Sequence, residues 1–146
     1  SLALNSLPPG LWESAADELE SRLADTALEA CYQALCRPSG HPWLDKAART
    51  LRAGSPTSAA LIHRQWENGQ RQTLADTFRQ ELVLSVQCAR HPDFIEGVRA
   101  LLVDKDQSPS WHPSTLAGVD TACLDGHYVA PWVGGHPLAD IENWRS

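Results

Sequence analysis

The strongest pattern of apolar and polar positions lies between residues 74 and 102. Apolar side chains recur there at steps of three and four residues, which is the spacing of one face of an α-helix. Pro92 divides the pattern, because proline disfavours helical geometry at the preceding residue and suits the first position of a new helix. We therefore predict a helix over 74–91, capped by Thr73, and a second helix that begins at Pro92. The predicted buried faces are Leu74, Phe78, Leu82, Val86 and Ala89 in the first helix, and Phe94, Val98, Leu101 and Leu102 in the second.

Gly97 interrupts the apolar face of the second helix. A glycine inside a helix costs about 1 kcal/mol relative to alanine, so its presence predicts the close approach of another backbone segment. After Asp104 the segment 105–111 cannot continue the helix. We expect it to lie along the protein surface with Trp111 as its anchor.

Weaker helical patterns precede this region, and they predict a helix over 11–27, a segment 28–36 that continues it or forms a second short helix, and helices over 42–53 and 56–66. Ser55 is the expected cap of the last of these, and Gly54 the expected end of the helix before it. From residue 118 onward, glycine and proline punctuate short apolar pieces, which is typical of an irregular segment. Trp132 and Trp144 in that segment predict that parts of it are docked. The predicted fold class is all-α, with four to six amphipathic helices over 1–117 and an irregular C-terminal tail over 118–146.

Composition and charge narrow the class of protein. A chain of 146 residues suits one domain, and no apolar stretch approaches the roughly 20 residues that span a bilayer. Twelve basic against eighteen acidic residues give a formal charge of -6, which argues against a binder of nucleic-acid backbones. The sequence contains no methionine and does not begin with a secretion signal. We expect a cytoplasmic protein with reduced thiols, and a fragment of a larger chain.

A zinc site is the first chemical alternative. Cys31, Cys36 and His41 have C-x4-C-x4-H spacing, and Cys88 with His91 has C-x2-H spacing, so the ligand types suffice. Structural zinc sites usually place close pairs of ligands around a turn, whereas Cys31 and Cys36 fall in a predicted helix. Ordinary thiols and histidines are therefore the favoured interpretation, and we predict no metal site.

Catalytic chemistry is not visible in the residue pattern. No nucleophile-elbow glycine pattern, phosphate-binding glycine loop or dinucleotide fingerprint occurs. His112, His127 and His136 lie in irregular segments, where a histidine is more often a solvent-facing or hydrogen-bonding residue than a catalytic base. We assign no catalytic residue.

Two segments carry a family resemblance. The run EGVRALLVDKDQSPSW at 96–111 resembles the C-terminal signature of the 3-hydroxyisobutyryl-coenzyme A hydrolases, a branch of the crotonase (enoyl-coenzyme A hydratase/isomerase) superfamily. SPTS at 55–58, followed by a helix, a glycine-containing break and 74–90, is similar to the preceding region of the same family. The resemblance covers about 44–116.

The resemblance implies that the catalytic groups lie elsewhere. In crotonase-like enzymes the backbone oxyanion hole and the catalytic carboxylates belong to an N-terminal α/β core, which this sequence lacks. The matching helical region in such enzymes packs on that core, helps to close the acyl-coenzyme A pocket and often takes part in subunit contacts. We therefore expect the crotonase core of the same polypeptide and a homo-oligomer as partners, and neither nucleic acid nor membrane.

Lys105 is the one candidate ligand residue. Related enzymes use basic residues of this region near the phosphates of the coenzyme, and a lysine just beyond a helix end can reach a phosphate. The alternative is a solvated lysine whose neighbours Asp104 and Asp106 repel a phosphate. No cofactor is expected on this chain alone, and a coenzyme A thioester is the substrate expected of the parent enzyme.

Two functional hypotheses follow. The first is a segment of an acyl-coenzyme A enzyme that hydrolyses a thioester or hydrates an enoyl bond. The residues that would distinguish these two reactions are absent from this sequence. The second is a stand-alone helical module for binding or oligomerisation.

Overall fold

The computed structural model describes residues 10, 13, 15–24 and 27–143, with only the backbone at residue 143. These residues form helices and loops without a strand, which confirms the all-α prediction. The helices are α1 (Ala16–Arg22), α2 (Leu28–Cys36), α3 (Pro42–Ala53), α4 (Pro56–Gly69), α5 (Leu74–Arg90), α6 (Pro92–Val98) and α7 (Thr121–Gly126). A π-helical turn, Arg99–Val103, continues α6, and short 3-10 turns cover Leu116–Gly118 and Ile141–Asn143.

The chain forms two compact units, residues 1–54 and 55–146. The sequence predicted a boundary at residue 118, between the helical segment 1–117 and the C-terminal tail 118–146. This boundary stays a prediction. No described helix is long and apolar enough to cross a bilayer.

In the first unit, α2 packs against α1 and α3, and small side chains fill the contacts. Arg22 binds the C-terminal end of α2 through the carbonyls of Ala34 at 2.9 Å and Arg37 at 2.6 Å. The last carbonyls of a helix have no partner within the helix, and they lie at its negative end. A guanidinium there supplies both the missing hydrogen-bond donors and a favourable positive charge. The buried apolar residues of the unit are Ala15, Cys31, Ala34, Cys36, Leu44 and Ala48.

Side-chain caps fix the helix starts of the second unit. The Ser55 hydroxyl accepts the Ser58 N–H at 3.1 Å at the start of α4, and Thr73 accepts the Asp76 N–H at 3.2 Å at the start of α5. Both caps were predicted. His91 caps α6 by accepting the Asp93 N–H on Nδ1 at 3.3 Å. Each cap satisfies one of the first N–H groups of its helix, and these groups have no other partner within it.

The C-terminal segment is docked on α4 and α5. Arg79 donates to the carbonyls of Leu138 at 3.1 Å and Ala139 at 2.9 Å, and His136 binds the Arg79 carbonyl through Nε2 at 3.1 Å. Arg64 pairs with Asp125 at 2.6 Å. The described part of the tail thus contacts α4 and α5, and docking of the whole tail stays a prediction. Trp144 lies outside the described residues.

The predicted buried faces of the two central helices are largely wrong within this chain. Leu74 and Phe78 are exposed on α5, where Val83 and Leu84 are buried instead. On α6 and the π-helical turn, five large side chains are 55–69 % exposed. We call them the apolar patch: Phe94, Ile95, Leu101, Leu102 and Val103. The helical periodicity was correct, but none of the described residues covers these positions.

Candidate functional site

The site begins where α6 changes from α-helical to π-helical geometry. The Asp104 N–H donates to the Arg99 carbonyl at 2.8 Å, which closes a wide turn of five residues. The Gln107 N–H then reaches back to the Ala100 carbonyl at 3.1 Å. Single π turns inside helices are frequent at functional sites. Here the turn moves the following loop back beside Arg99.

Arg99 joins three carboxylates. Its guanidinium donates to both Glu96 oxygens, at 2.9 and 2.8 Å, to Asp104 at 2.6 Å and to Asp106 at 2.7 Å. It also donates to the Ser108 carbonyl at 3.2 Å. We call Glu96, Arg99, Asp104 and Asp106 the Arg99 cluster. Because the planar guanidinium presents several donors in a fixed geometry, it can hold helix and loop together.

The cluster favours the charged state of Glu96 and Asp106. Hydrogen bonds from Arg99, and then from the Ser110 N–H, lower the pKa of Glu96 to about 2. The pKa of Asp106 is also lowered, first by Arg99 and then by the Ser108 N–H. The pKa of Arg99 is raised by its hydrogen bonds to these carboxylates. Glu96, Arg99 and Asp106 therefore stay ionised at neutral pH.

Two residues of the loop have left-handed backbone conformations. Lys105 has φ of 57° and Gln107 has φ of 54°, and both side chains are exposed. Residues other than glycine rarely adopt these angles, so they persist where surrounding contacts hold them. The hydrogen bonds of Asp104 and Asp106 to Arg99 provide such contacts on either side of Lys105.

The Lys105 ammonium has no hydrogen bond or ion pair among the residues that the structure describes. Its two neighbouring carboxylates bind Arg99 instead. The sequence suggested that these acids would repel a phosphate from Lys105, and the geometry weakens that objection because both acids have a cationic partner. A role for Lys105 as a ligand stays a prediction.

Trp111 anchors the end of the loop, as predicted. Its ring edge lies over Gly97, where an added Cβ would come within 3.3 Å of the Trp111 Cη2 atom. The close neighbour of Gly97 is thus a side chain, and the predicted approach of a backbone segment was wrong. The Ser110 N–H also donates to Glu96 at 2.7 Å, which fixes the residue before the ring.

Asp93 links the start of α4 with the residue that follows Trp111. Its buried carboxylate accepts the Ser55 hydroxyl at 2.5 Å and the His112 N–H at 3.2 Å. Asp93 is the second residue of α6, where the sequence indicates only an acid near the positive end of a helix. The pairing with Ser55 spans 38 positions, so no local pattern could reveal it.

The cysteines and histidines that could supply zinc ligands are all among the described residues. No group of three or more His, Cys, Asp or Glu within the described ranges could hold a metal ion. His91 faces Cys123, with 3.9 Å between Nε2 and Sγ. All four cysteines are free thiols, Cys31 and Cys36 being buried.

A comparison with protein families matches residues 5–128 to the model of the enoyl-CoA hydratase/isomerase family. The chain belongs to that family. It is thereby related to crotonase-type enzymes that hydrate or hydrolyse acyl-CoA substrates.

Several curated relatives of this chain are named as mitochondrial 3-hydroxyisobutyryl-CoA hydrolases. The protein from Danio rerio is 49 % identical over 89 residues, which cover 61 % of this chain and 23 % of the relative. The protein from Gallus gallus is 38 % identical over 75 % of this chain and 28 % of its own length. The protein from Homo sapiens is 35 % identical over 77 % and 29 %.

The chain thus spans between a fifth and a third of the length of these relatives. Their names describe mitochondrial proteins, so the cytoplasmic location expected for this chain gains no support from them.

Proposed function

We propose that this chain is the C-terminal helical segment of an acyl-CoA enzyme of the 3-hydroxyisobutyryl-CoA hydrolase or enoyl-CoA hydratase type. In the whole protein, the segment packs on the catalytic core of the same polypeptide, closes the acyl-CoA pocket and supports assembly. The single observation that carries the proposal is the exposed apolar patch beside the Arg99 cluster.

The apolar patch is large enough to drive such packing. Complete burial of a leucine, isoleucine, valine or phenylalanine side chain contributes about 1.5–3 kcal/mol. Five side chains that are a little over half exposed therefore offer roughly 5–9 kcal/mol before the entropy of association is subtracted. Clustered exposed apolar groups of this kind usually mark an interface. A core of the same polypeptide is the favoured partner, because it would be tethered and thus present at high effective concentration.

The chemistry of the parent belongs to that core. In thioester hydrolysis, water adds to the thioester carbonyl, and the oxyanion that forms is stabilised by preorganised N–H donors until the coenzyme thiolate leaves. In hydration, water adds across the enoyl bond through an enolate that the same donors stabilise. The names of the relatives favour hydrolysis. We assign this chain no catalytic residue.

Lys105 is the proposed contact of this segment with the coenzyme. A lysine side chain is a flexible point charge that suits a phosphate. The exposure of Lys105 and the pairing of Asp104 and Asp106 with Arg99 support this assignment. The contribution of such an exposed contact is small, on the order of 1 kcal/mol or less.

The alternative function is a stand-alone helical module, for which the apolar patch would bind a separate partner. The reading frame that encodes the chain distinguishes the two hypotheses. About 200 further residues upstream, with a glycine-rich oxyanion motif, would support the enzyme segment. A frame that starts close to residue 1 would support the module.

Activity assays then test the proposal directly. The isolated chain should not hydrolyse 3-hydroxyisobutyryl-CoA, whereas the full-length product should. In the full-length product, the double substitution Leu101→Ser and Leu102→Ser should lower activity by weakening the contact with the core. Val133→Ser is the matched control, because Val133 is a fully exposed apolar residue outside the apolar patch. Turnover by the isolated chain that one substitution within it abolished would prove the proposal wrong.

A further inference from the structure

We propose that Arg99 is a positioning residue that presents the Lys105 ammonium to a phosphate group of a coenzyme A thioester. This inference rests on the proposed function, since it takes coenzyme A as the ligand of this region. Arg99 itself does not contact the ligand. It acts through the two aspartates on either side of Lys105.

The first step of the argument is geometric. Asp104 and Asp106 both bind the same guanidinium nitrogen, at 2.6 and 2.7 Å, so the backbone between them must form a narrow turn. Lys105 is the residue inside that turn, and its φ of 57° is the consequence. The Gln107 N–H bond to the Ala100 carbonyl closes the turn on the other side.

The second step concerns charge. Without Arg99, the carboxylates nearest to the Lys105 ammonium would be free to pair with it and would compete with a phosphate. With Arg99 in place, both accept its N–H groups, and Lys105 has no partner among the described residues. Three carboxylates still face two cations here, so the site depends on geometry and not on excess positive charge.

A different role for Arg99 would be structural only, as a link between α6 and the loop. The two roles predict different effects on phosphate recognition. Loss of a purely structural link lowers stability and weakens every ligand equally. Loss of positioning selectively removes the preference for a ligand that carries the additional phosphate.

The experiment titrates the chain of 146 residues with coenzyme A and with 3′-dephospho-coenzyme A. NMR signals of the loop amides report binding. The unsubstituted chain should bind coenzyme A roughly two- to fivefold more tightly than the dephospho form, the range of one exposed ion pair. Lys105→Gln should abolish this preference. Arg99→Lys keeps the charge but loses the fork of donors, and it should abolish the preference as well.

A matched control and a second variant keep the test decisive. Arg64→Lys disturbs an arginine that pairs with Asp125 and lies over the Tyr128 ring, and that has no recorded contact with the loop among the described residues, so it should leave the preference intact. Asp106→Asn removes a negative charge beside Lys105. Electrostatics alone would then strengthen phosphate binding, whereas loss of positioning weakens it.

Each outcome bears on one of the two hypotheses. A phosphate preference that survives Arg99→Lys, or that increases in Asp106→Asn, would overturn the positioning role and leave the Lys105 contact standing. Equal binding of both coenzymes by the unsubstituted chain, no binding, or a preference that survives Lys105→Gln would overturn the coenzyme contact, and the positioning role with it.

Discussion

Replacing Asp93 by asparagine should weaken the link between the start of α4 at Ser55 and the loop at His112. The Asp93 carboxylate is 8 % exposed and accepts two hydrogen bonds, one from the Ser55 hydroxyl and one from the His112 N–H. Asparagine has nearly the same shape but only one acceptor oxygen. One of the two donors must therefore lose its partner, while the packing around the side chain is kept.

The structure sets the magnitude of the effect. Hydrogen bonds to charged groups contribute about 1.5–3 kcal/mol each. Asp93→Asn should thus lower the free energy of unfolding by about 2 kcal/mol. Asp93→Ala leaves both donors without a partner and should cost about 3–4 kcal/mol.

A double-mutant cycle isolates the pair. Ser55→Ala and Asp93→Ala should show a coupling free energy of about 1–2 kcal/mol, because each substitution removes the hydrogen bond between Ser55 and Asp93. Thr73→Ala is the matched control, since Thr73 caps α5 as Ser55 caps α4 but has no bond to Asp93. Its effect should add to that of Asp93→Ala within about 0.5 kcal/mol.

Urea denaturation followed by circular dichroism measures these free energies, and amide exchange at His112 reports the second bond directly. Faster exchange at His112 in Asp93→Ala is expected. A coupling below about 0.5 kcal/mol between Ser55 and Asp93, together with unchanged exchange at His112, would refute the proposed link.

Three further predictions concern the loop and the apolar patch. Gly97→Leu should displace the Trp111 ring and cost about 1–3 kcal/mol by overpacking; an unchanged near-ultraviolet dichroism of the tryptophans would contradict this. Because the folded-state pKa of Glu96 is lowered from 4.5 to about 2, its stabilising contribution is complete above pH 4.5 and is lost as the pH falls toward 2. The protection factor of the Ser110 amide, its exchange rate relative to the unfolded chain at the same pH, should fall over that range, and Glu96→Gln should remove this pH dependence. The isolated chain should form a dimer or larger oligomer, so light scattering that gives a constant mass near 16.0 kDa at all concentrations would reject association.

The helices could be predicted from sequence because their causes are local. Pro42, Pro56 and Pro92 each begin a helix, and the caps Ser55 and Thr73 were recognised from residue type and position. Propensity, capping and proline geometry act within one or two turns. The bounds of α3 matched for the same reason, and α2 is the separate short helix that was one of two alternatives for 28–36.

The site was less predictable because its contacts do not follow a short repeat. The sequence indicated Lys105 and Trp111 but not the Arg99 cluster, since an arginine on a helix is usually a solvated residue. The spacing of Glu96 and Arg99, three residues apart with the acid first, was the available signal. The contacts of Arg99 with Asp104 and Asp106 depend on the π-helical turn, which residue type alone does not indicate.

The failure to predict burial on α6 has a single physical cause, and it bears on function. Periodicity identifies the face of a helix that must leave water, but it does not say whether the covering partner belongs to the same segment of chain. Phe94, Leu101 and Leu102 follow the spacing of a buried face, yet they are exposed in this structure. A buried pattern on an exposed face is expected where the partner is another part of the protein or a second copy. The mismatch between pattern and exposure is therefore itself an argument that α6 and the π-helical turn form an interface.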